Sequence, residues 1–80
     1  NGKIIKSLVS PASGPTGLTF DGKYLWHTYY GTNIICQLDL NGKIIKSFVS
    51  PAGGSSGLAF DGKYLWYCSQ TTATIYQITV

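Results

Sequence analysis

About 40 residues into this chain the sequence starts over. Asn1-Gly-Lys-Ile-Ile-Lys-Ser returns as Asn41-Gly-Lys-Ile-Ile-Lys-Ser, and Phe20-Asp-Gly-Lys-Tyr-Leu-Trp returns as Phe60-Asp-Gly-Lys-Tyr-Leu-Trp. Roughly 60 per cent of aligned positions are identical, so the chain is two copies of one structural unit, residues 1–40 and 41–80. A unit of this length is too small to bury its own apolar surface, and stacking against a neighbour is the usual remedy.

Each unit reads as strands throughout. Asn-Gly and Asp-Gly are strong hairpin signals because a type I′ turn needs positive φ at both central residues. On this reading Asn41-Gly42 joins strands 34–40 and 43–49, and Asp21-Gly22 joins 17–20 and 23–28. A polar stretch at 31–33 separates 23–30 from 34–40, and the Ser/Pro/Gly segment 50–57 leads into the next unit. The segments are rich in β-branched and aromatic residues, and none shows a helical period. Both parities are apolar: Tyr24 and Trp26 alternate with Leu25, and Ile44 and Phe48 with Ile45 and Val49. Strands of that kind belong to a sheet covered on both faces. A four-stranded unit repeating at about 40 residues and covered on both sides is a β-propeller blade. The expected fold is all-β, with two four-stranded antiparallel blades per chain.

The segment Gly14-Pro15-Thr16-Gly17-Leu18-Thr19-Phe20-Asp21-Gly22-Lys23-Tyr24-Leu25 resembles the blade signature of the YVTN and NHL-type propellers, a class that includes the streptogramin-lyase-like proteins. The resemblance covers essentially the whole chain twice, with Ser55-Ser56 where the first copy has Pro15-Thr16. It implies that 17–20 and 57–60 are the innermost strands, along a central channel, and that 43–49 is an outermost one. By the same register the chain opens on an outermost strand, 3–9, and ends on a third strand, 74–80. Two blades cannot close a ring. The expectation is therefore that strand 3–9 of one chain completes the last blade of a neighbouring chain, giving a closed homo-oligomer. Six blades from a trimer is the first choice and eight from a tetramer the second. A fragment of a longer propeller, natural or engineered and with no function of its own, is the alternative. A start at Asn1 rather than Met suits a processed, engineered or mature secreted chain.

Composition narrows the function. Charged residues are 11% of the chain, against about a quarter in ordinary soluble domains, which suits a surface largely covered by something else. The net charge of +3 comes from lysines without a single Arg, a poor basis for nucleic acid recognition. No apolar run approaches the ~18 residues of a membrane span. The low charge and the Ser/Thr/Tyr/Gly-rich loops lean toward an extracytoplasmic or secreted protein. No cofactor or metal is expected: there is no G-x-S-x-G elbow, no carboxylate pair and no phosphate-binding glycine loop. The resemblance implies a His and a Glu around a metal for lyase activity, and this chain has no Glu. A metal-dependent lyase-like or hydrolase enzyme at the channel mouth is thus an alternative without its carriers, save for copies of His27 gathered around a ring.

The resemblance also places ligands on the face built from loops 10–16 and 50–56 together with loops 29–33 and 69–74. The two repeats agree almost fully up to Trp26 and Trp66 and diverge from His27 and Tyr67 onward, into those loops. The candidate ligand-binding residues are His27, Tyr29, Tyr30, Thr32, Asn33, Ser69, Gln70 and Thr71, presented to a glycan, peptide or protein. Against this, His27 reads first as a structural ring held by hydrogen bonds. Asp21 and Asp61 read as turn residues, Asp39 as a solvated strand end, and Trp26 and Trp66 as packing between blades. Cys36 and Cys68 read as small buried hydrophobes ahead of a disulfide pair. The expected function is a non-enzymatic, self-assembling scaffold or binding module.

Overall fold

A computed structural model describes residues 2–10, 14–29 and 33–80 of the chain. Seven strands follow in order: β1 (Pro15–Phe20), β2 (Leu25–Tyr29), β3 (Ile34–Leu38), β4 (Ile44–Val49), β5 (Ser55–Phe60), β6 (Leu65–Ser69) and β7 (Thr74–Ile78). They form two antiparallel sheets, β1-β2-β3-β4 and β5-β6-β7, in simple up-and-down order. Among the described residues there is no helix. The all-β reading holds, with two antiparallel sheets, the first of which takes its fourth strand from beyond residue 40.

The hairpins are built differently from the sequence reading. The described residues with positive φ outside glycine are Asn33 and Ala73, so neither Asn41 nor the turn aspartates take the left-handed conformation a type I′ turn demands. At the β3–β4 connection the Gly42 amide donates to Asp39 O (3.0 Å), the Asp39 amide donates to Lys43 O (2.9 Å), and Gly42 alone has positive φ (89°). This is a three-residue loop closed by a glycine bulge. At the β1–β2 connection Asp21 pairs with Tyr24, and Gly22-Lys23 are the central residues, one step later than the sequence pattern implies. The cause is the carboxylates. Asp21 Oδ1 accepts from the Lys23 and Tyr24 amides (2.8 and 2.7 Å), Asp61 does the same in the second unit, and Asp39 Oδ1 accepts from Asn41 and Lys43 (2.8 and 3.0 Å). An aspartate used as an acceptor for its own turn starts the loop rather than occupying its centre.

The register also corrects one parity. Gln37 pairs with Lys46 but Leu38 pairs with Ile44, so β4 carries an extra residue at Ile45. Ile44 and Phe48 consequently lie on opposite faces of the sheet, not on the same one.

Side-chain alternation gives each sheet two faces. One, the Trp face, carries Trp26, Thr28 and Ile35 in the first sheet and Trp66, Cys68 and Ile75 in the second. The other, the Leu face, carries Leu25, His27 and Leu38, or Leu65, Tyr67 and Ile78. The main core lies where the Trp face of the first sheet meets the Leu face of the second: Trp26, Ile35, Leu65 and Tyr67 are fully buried, with Phe48, Leu58, Phe60, Tyr76 and Ile78 packed around them. The backbones approach most closely along β1 and β5. Gly17 permits that approach, because a methyl group there would sit 2.6 Å from Thr28 Oγ1 and 3.1 Å from Leu58 Cβ. At the same seam Thr16 Oγ1 lies 2.8 Å from Ser55 Oγ.

Residues 2–10, read from the sequence as a strand, pair with no sheet in the chain. They run as an extended arm across the Leu face of the first sheet. Lys6 Nζ donates to Leu40 O (2.8 Å) and Asn41 Oδ1 (3.1 Å), and Ser10 Oγ lies 2.9 Å from His27 Nε2.

If Gly17 sets the distance between the sheets, Gly17→Ala forces β1 from β5. A loss of about 1–3 kcal/mol is expected, read as a lower urea midpoint. A midpoint equal to that of the parent chain contradicts this account of the seam.

Candidate functional site

The loop end of the sheets is where the sequence places ligand contacts, and its polar groups divide into two sets. The first set is consumed by the fold. His27 is buried; its Nδ1 lies 2.8 Å from Gly17 O, a carbonyl that can only accept, so Nδ1 carries the hydrogen. In the neutral ring Nε2 then accepts from the Ser10 hydroxyl. Tyr29 is buried with its hydroxyl 3.0 Å from Cys36 Sγ. The hydrogen bond with Cys36, burial and the thiol's charge together push its phenol from 10.0 up to about 12. Ser69 is buried, donates to Gly53 O (2.7 Å) and accepts from the Thr72 amide (3.2 Å). Both ring nitrogens of His27 are thus engaged in hydrogen bonds, and the Tyr29 side chain is buried.

The second set is exposed: Asn33, Gln70 and Thr71. Asn33 has φ 56° and Ala73, its counterpart in the second unit, has φ 51°. The two positions thus share the left-handed conformation, which Asn tolerates better than Ala. The segment after β4 threads between them, with the Ser50 amide donating to Asn33 O (2.9 Å) and the Gln70 amide to Gly54 O (2.8 Å). Tyr30 and Thr32, also named as candidate ligand residues, lie outside the described residues. Cys36 is buried, Cys68 is partly exposed, and both are free thiols.

Two features went unread in the sequence. Trp26 Nε1 and Trp66 Nε1 each donate 2.7 Å to the second carboxylate oxygen of Asp21 and Asp61, so each turn is bolted to the middle of β2 or β6. Burial works against the charge on Asp21, but bonds from the Tyr24 amide, the Trp26 indole and the Lys23 amide more than offset it. Its carboxyl therefore sits below the usual range, and Asp61 follows through the Tyr64 amide, Trp66 and the Lys63 amide. The five-residue Asp-to-Trp spacing, kept in both copies, was the available signal. The other is a serine seam: Ser10 meets His27 as Ser50 meets Tyr67, whose hydroxyl donates to Ser50 Oγ (3.3 Å) and Ala52 O (2.6 Å).

The larger candidate surface is the pair of faces that the chain leaves open. On the second sheet Trp66 is 36% exposed where Trp26 is 1%, and Ile75 is 71% exposed where Ile35 is 0%. On the first sheet Leu18 is 60% and Phe20 50% exposed, whereas Leu58 and Phe60 pack into the core. Each open face is the repeat-equivalent of a covered one. Between the arm and the Leu face of the first sheet lies a cavity of about 370 Å³ lined by Leu8, Val9, Leu18, Leu25, His27 and Leu38. Among the described residues no group of three or more His, Cys, Asp or Glu is placed to hold a metal ion.

The shielding of Tyr29 has a direct readout. In a near-ultraviolet absorbance titration Tyr29→Phe is expected to remove a phenol that ionises near 12. Loss of an ordinary component instead means the Tyr29–Cys36 contact does not form.

No family model matches the chain, and no curated protein does.

Proposed function

We propose that this chain is a non-enzymatic propeller building block that assembles head to tail into a ring and presents its polar loop end to a glycan, peptide or protein. The observation that carries the reading is the complementarity of the two open faces. A Trp face and a Leu face already bind each other once within the chain; a second Trp face stands open at Trp66 and Ile75, and a second Leu face is covered in part, by the arm, with Leu18 and Phe20 exposed. An apolar face of that size on a soluble protein is an interaction surface. A face at one end that fits a different face at the other end makes a heterologous contact, which closes into a ring when the rotation per copy divides the circle. The close approach of β1 and β5 suits blades arranged with their first strands nearest an axis. Two sheets per chain give six blades in a trimer or eight in a tetramer, the trimer being favoured.

Within such a ring Asn33, Gln70 and Thr71 recur once per copy on one rim. Weak contacts repeated around a ring gain avidity without any new contact. Uncharged amide and hydroxyl groups suit carbohydrate hydroxyls and peptide backbones, which need paired donors and acceptors rather than net charge. The groups that general acid–base chemistry would recruit are engaged elsewhere: His27 in two structural hydrogen bonds, and the three aspartates in turns.

Glycan and peptide arrays probed with the assembled chain test the reading. Binding to a defined class is expected, with the signal lost on combining Asn33→Gly, Gln70→Ala and Thr71→Ala, changes that leave the core untouched and keep the positive φ at position 33. Binding that survives all three changes, or no binding at all, contradicts it.

A further inference from the structure

The two repeats allow the missing interface to be written residue by residue, an inference that rests on the assembly reading above. Within the chain β4 does two things. It pairs with β3, and it lies over the next sheet, ending at Ser50 beside Tyr67. The arm at 2–10 is the sequence copy of β4 and does the second of these already. Ser10 lies beside His27 as Ser50 lies beside Tyr67, and Leu8 faces the Leu25–Leu38 surface as Phe48 faces Leu65 and Tyr67. What the arm lacks is a strand beside it. Conversely β7 is the copy of β3, and its outer edge has no partner strand among the described residues. An unpaired edge beside an exposed apolar face is a ready template for another chain.

We infer that the occupant of both surfaces is a second copy of this chain: β7 of one copy pairs antiparallel with residues 4–9 of the next, while Trp66 and Ile75 enter the cavity under that arm. The β3–β4 ladder fixes the register. Ile34 pairs with Val49, Ile35 with Phe48, Cys36 with Ser47, Gln37 with Lys46, and Leu38 with Ile44. Shifted by one repeat, Thr74 pairs with Val9, Ile75 with Leu8, Tyr76 with Ser7, Gln77 with Lys6 and Ile78 with Ile4. The bulge at Ile45 moves to Ile5. Lys46 Nζ lies 5.8 Å from the Trp26 ring centroid, and the same geometry sets Lys6 over Trp66 of the neighbouring copy. The cavity of about 370 Å³ is the space that Trp26 and Ile35 fill at the equivalent place within the chain. The arm therefore does not block assembly. It is already seated on its own chain and offers one free edge.

Cysteine pairing at a single register tests this, because opposed residues in an antiparallel ladder lie within disulfide reach and residues two further along do not. In a Cys68→Thr background, chosen because Thr28 occupies the equivalent site, Lys6→Cys with Gln77→Cys is expected to cross-link between copies into one discrete closed species under mild oxidation. Lys6→Cys with Ile75→Cys is expected to stay uncross-linked. In the parent chain, alkylation of Cys68, which lies on the open Trp face, is expected to slow by about tenfold or more as concentration rises. Cross-linking of both pairs alike, or of the second alone, overturns the register, and concentration-dependent protection of Cys68 would then leave the assembly reading standing. Alkylation of Cys68 at the unprotected rate of the unfolded chain at every concentration overturns both.

Discussion

A sheet with large apolar side chains on both faces has to be covered twice, and a chain of two such sheets makes only one sheet-to-sheet contact. Everything distinctive about this molecule follows from that shortfall. The covered contact is a complete core: an indole, an isoleucine, a leucine and a tyrosine fully buried, with their neighbours interlocked around them. The uncovered surfaces carry largely equivalent residues in the same register, with Cys68 in place of Thr28 and His27 in place of Tyr67. Trp66 makes the same 2.7 Å bond to its turn aspartate that Trp26 makes, so the second sheet is already shaped for burial. A surface with preset rotamers and a satisfied indole gives up less freedom when a partner arrives.

The local structure is arranged to hold that shape. One carboxylate per turn accepts two backbone amides through one oxygen and an indole through the other, tying a hairpin loop to the strand after it. Gly17, within the first strand, lets two backbones approach closely, and the serines that end the arm and follow β4 meet the Leu faces at His27 and Tyr67. These are short-range devices repeated once per unit. They explain how a chain with so little charge keeps its sheets from sliding.

Much of this was written in the repeat. The period, the strand order and the up-and-down topology follow from turn dipeptides and two-sided apolar strands, and the arm's kinship with β4 follows from a sequence that differs only at Leu8 and Phe48. The turn types did not, because Asn-Gly and Asp-Gly look alike in sequence whether the acid sits inside the turn or accepts from outside it. The parity of Ile44 and Phe48 was lost for a related reason, since a bulge is set by the hydrogen bonds of Asp39 rather than by any apolar pattern. At the loop end, divergence after Trp26 and Trp66 drew attention to His27, Tyr29 and Ser69. That divergence reflects repacking at least in part: His27 and Tyr67 occupy equivalent sites and meet the equivalent serines, Ser10 and Ser50, by different chemistry. Of the described candidates only Asn33, Gln70 and Thr71 face outward, a distinction that burial makes and sequence does not.

The central claim is that equivalent faces pair equivalently, so that copies of this chain satisfy one another. Native mass across a dilution series tests it most directly. The account predicts a discrete closed assembly, a trimer or a tetramer, that persists on dilution and gives way to monomer without intermediate open chains. A folded monomer at every concentration, with Trp66 still facing water, would contradict it.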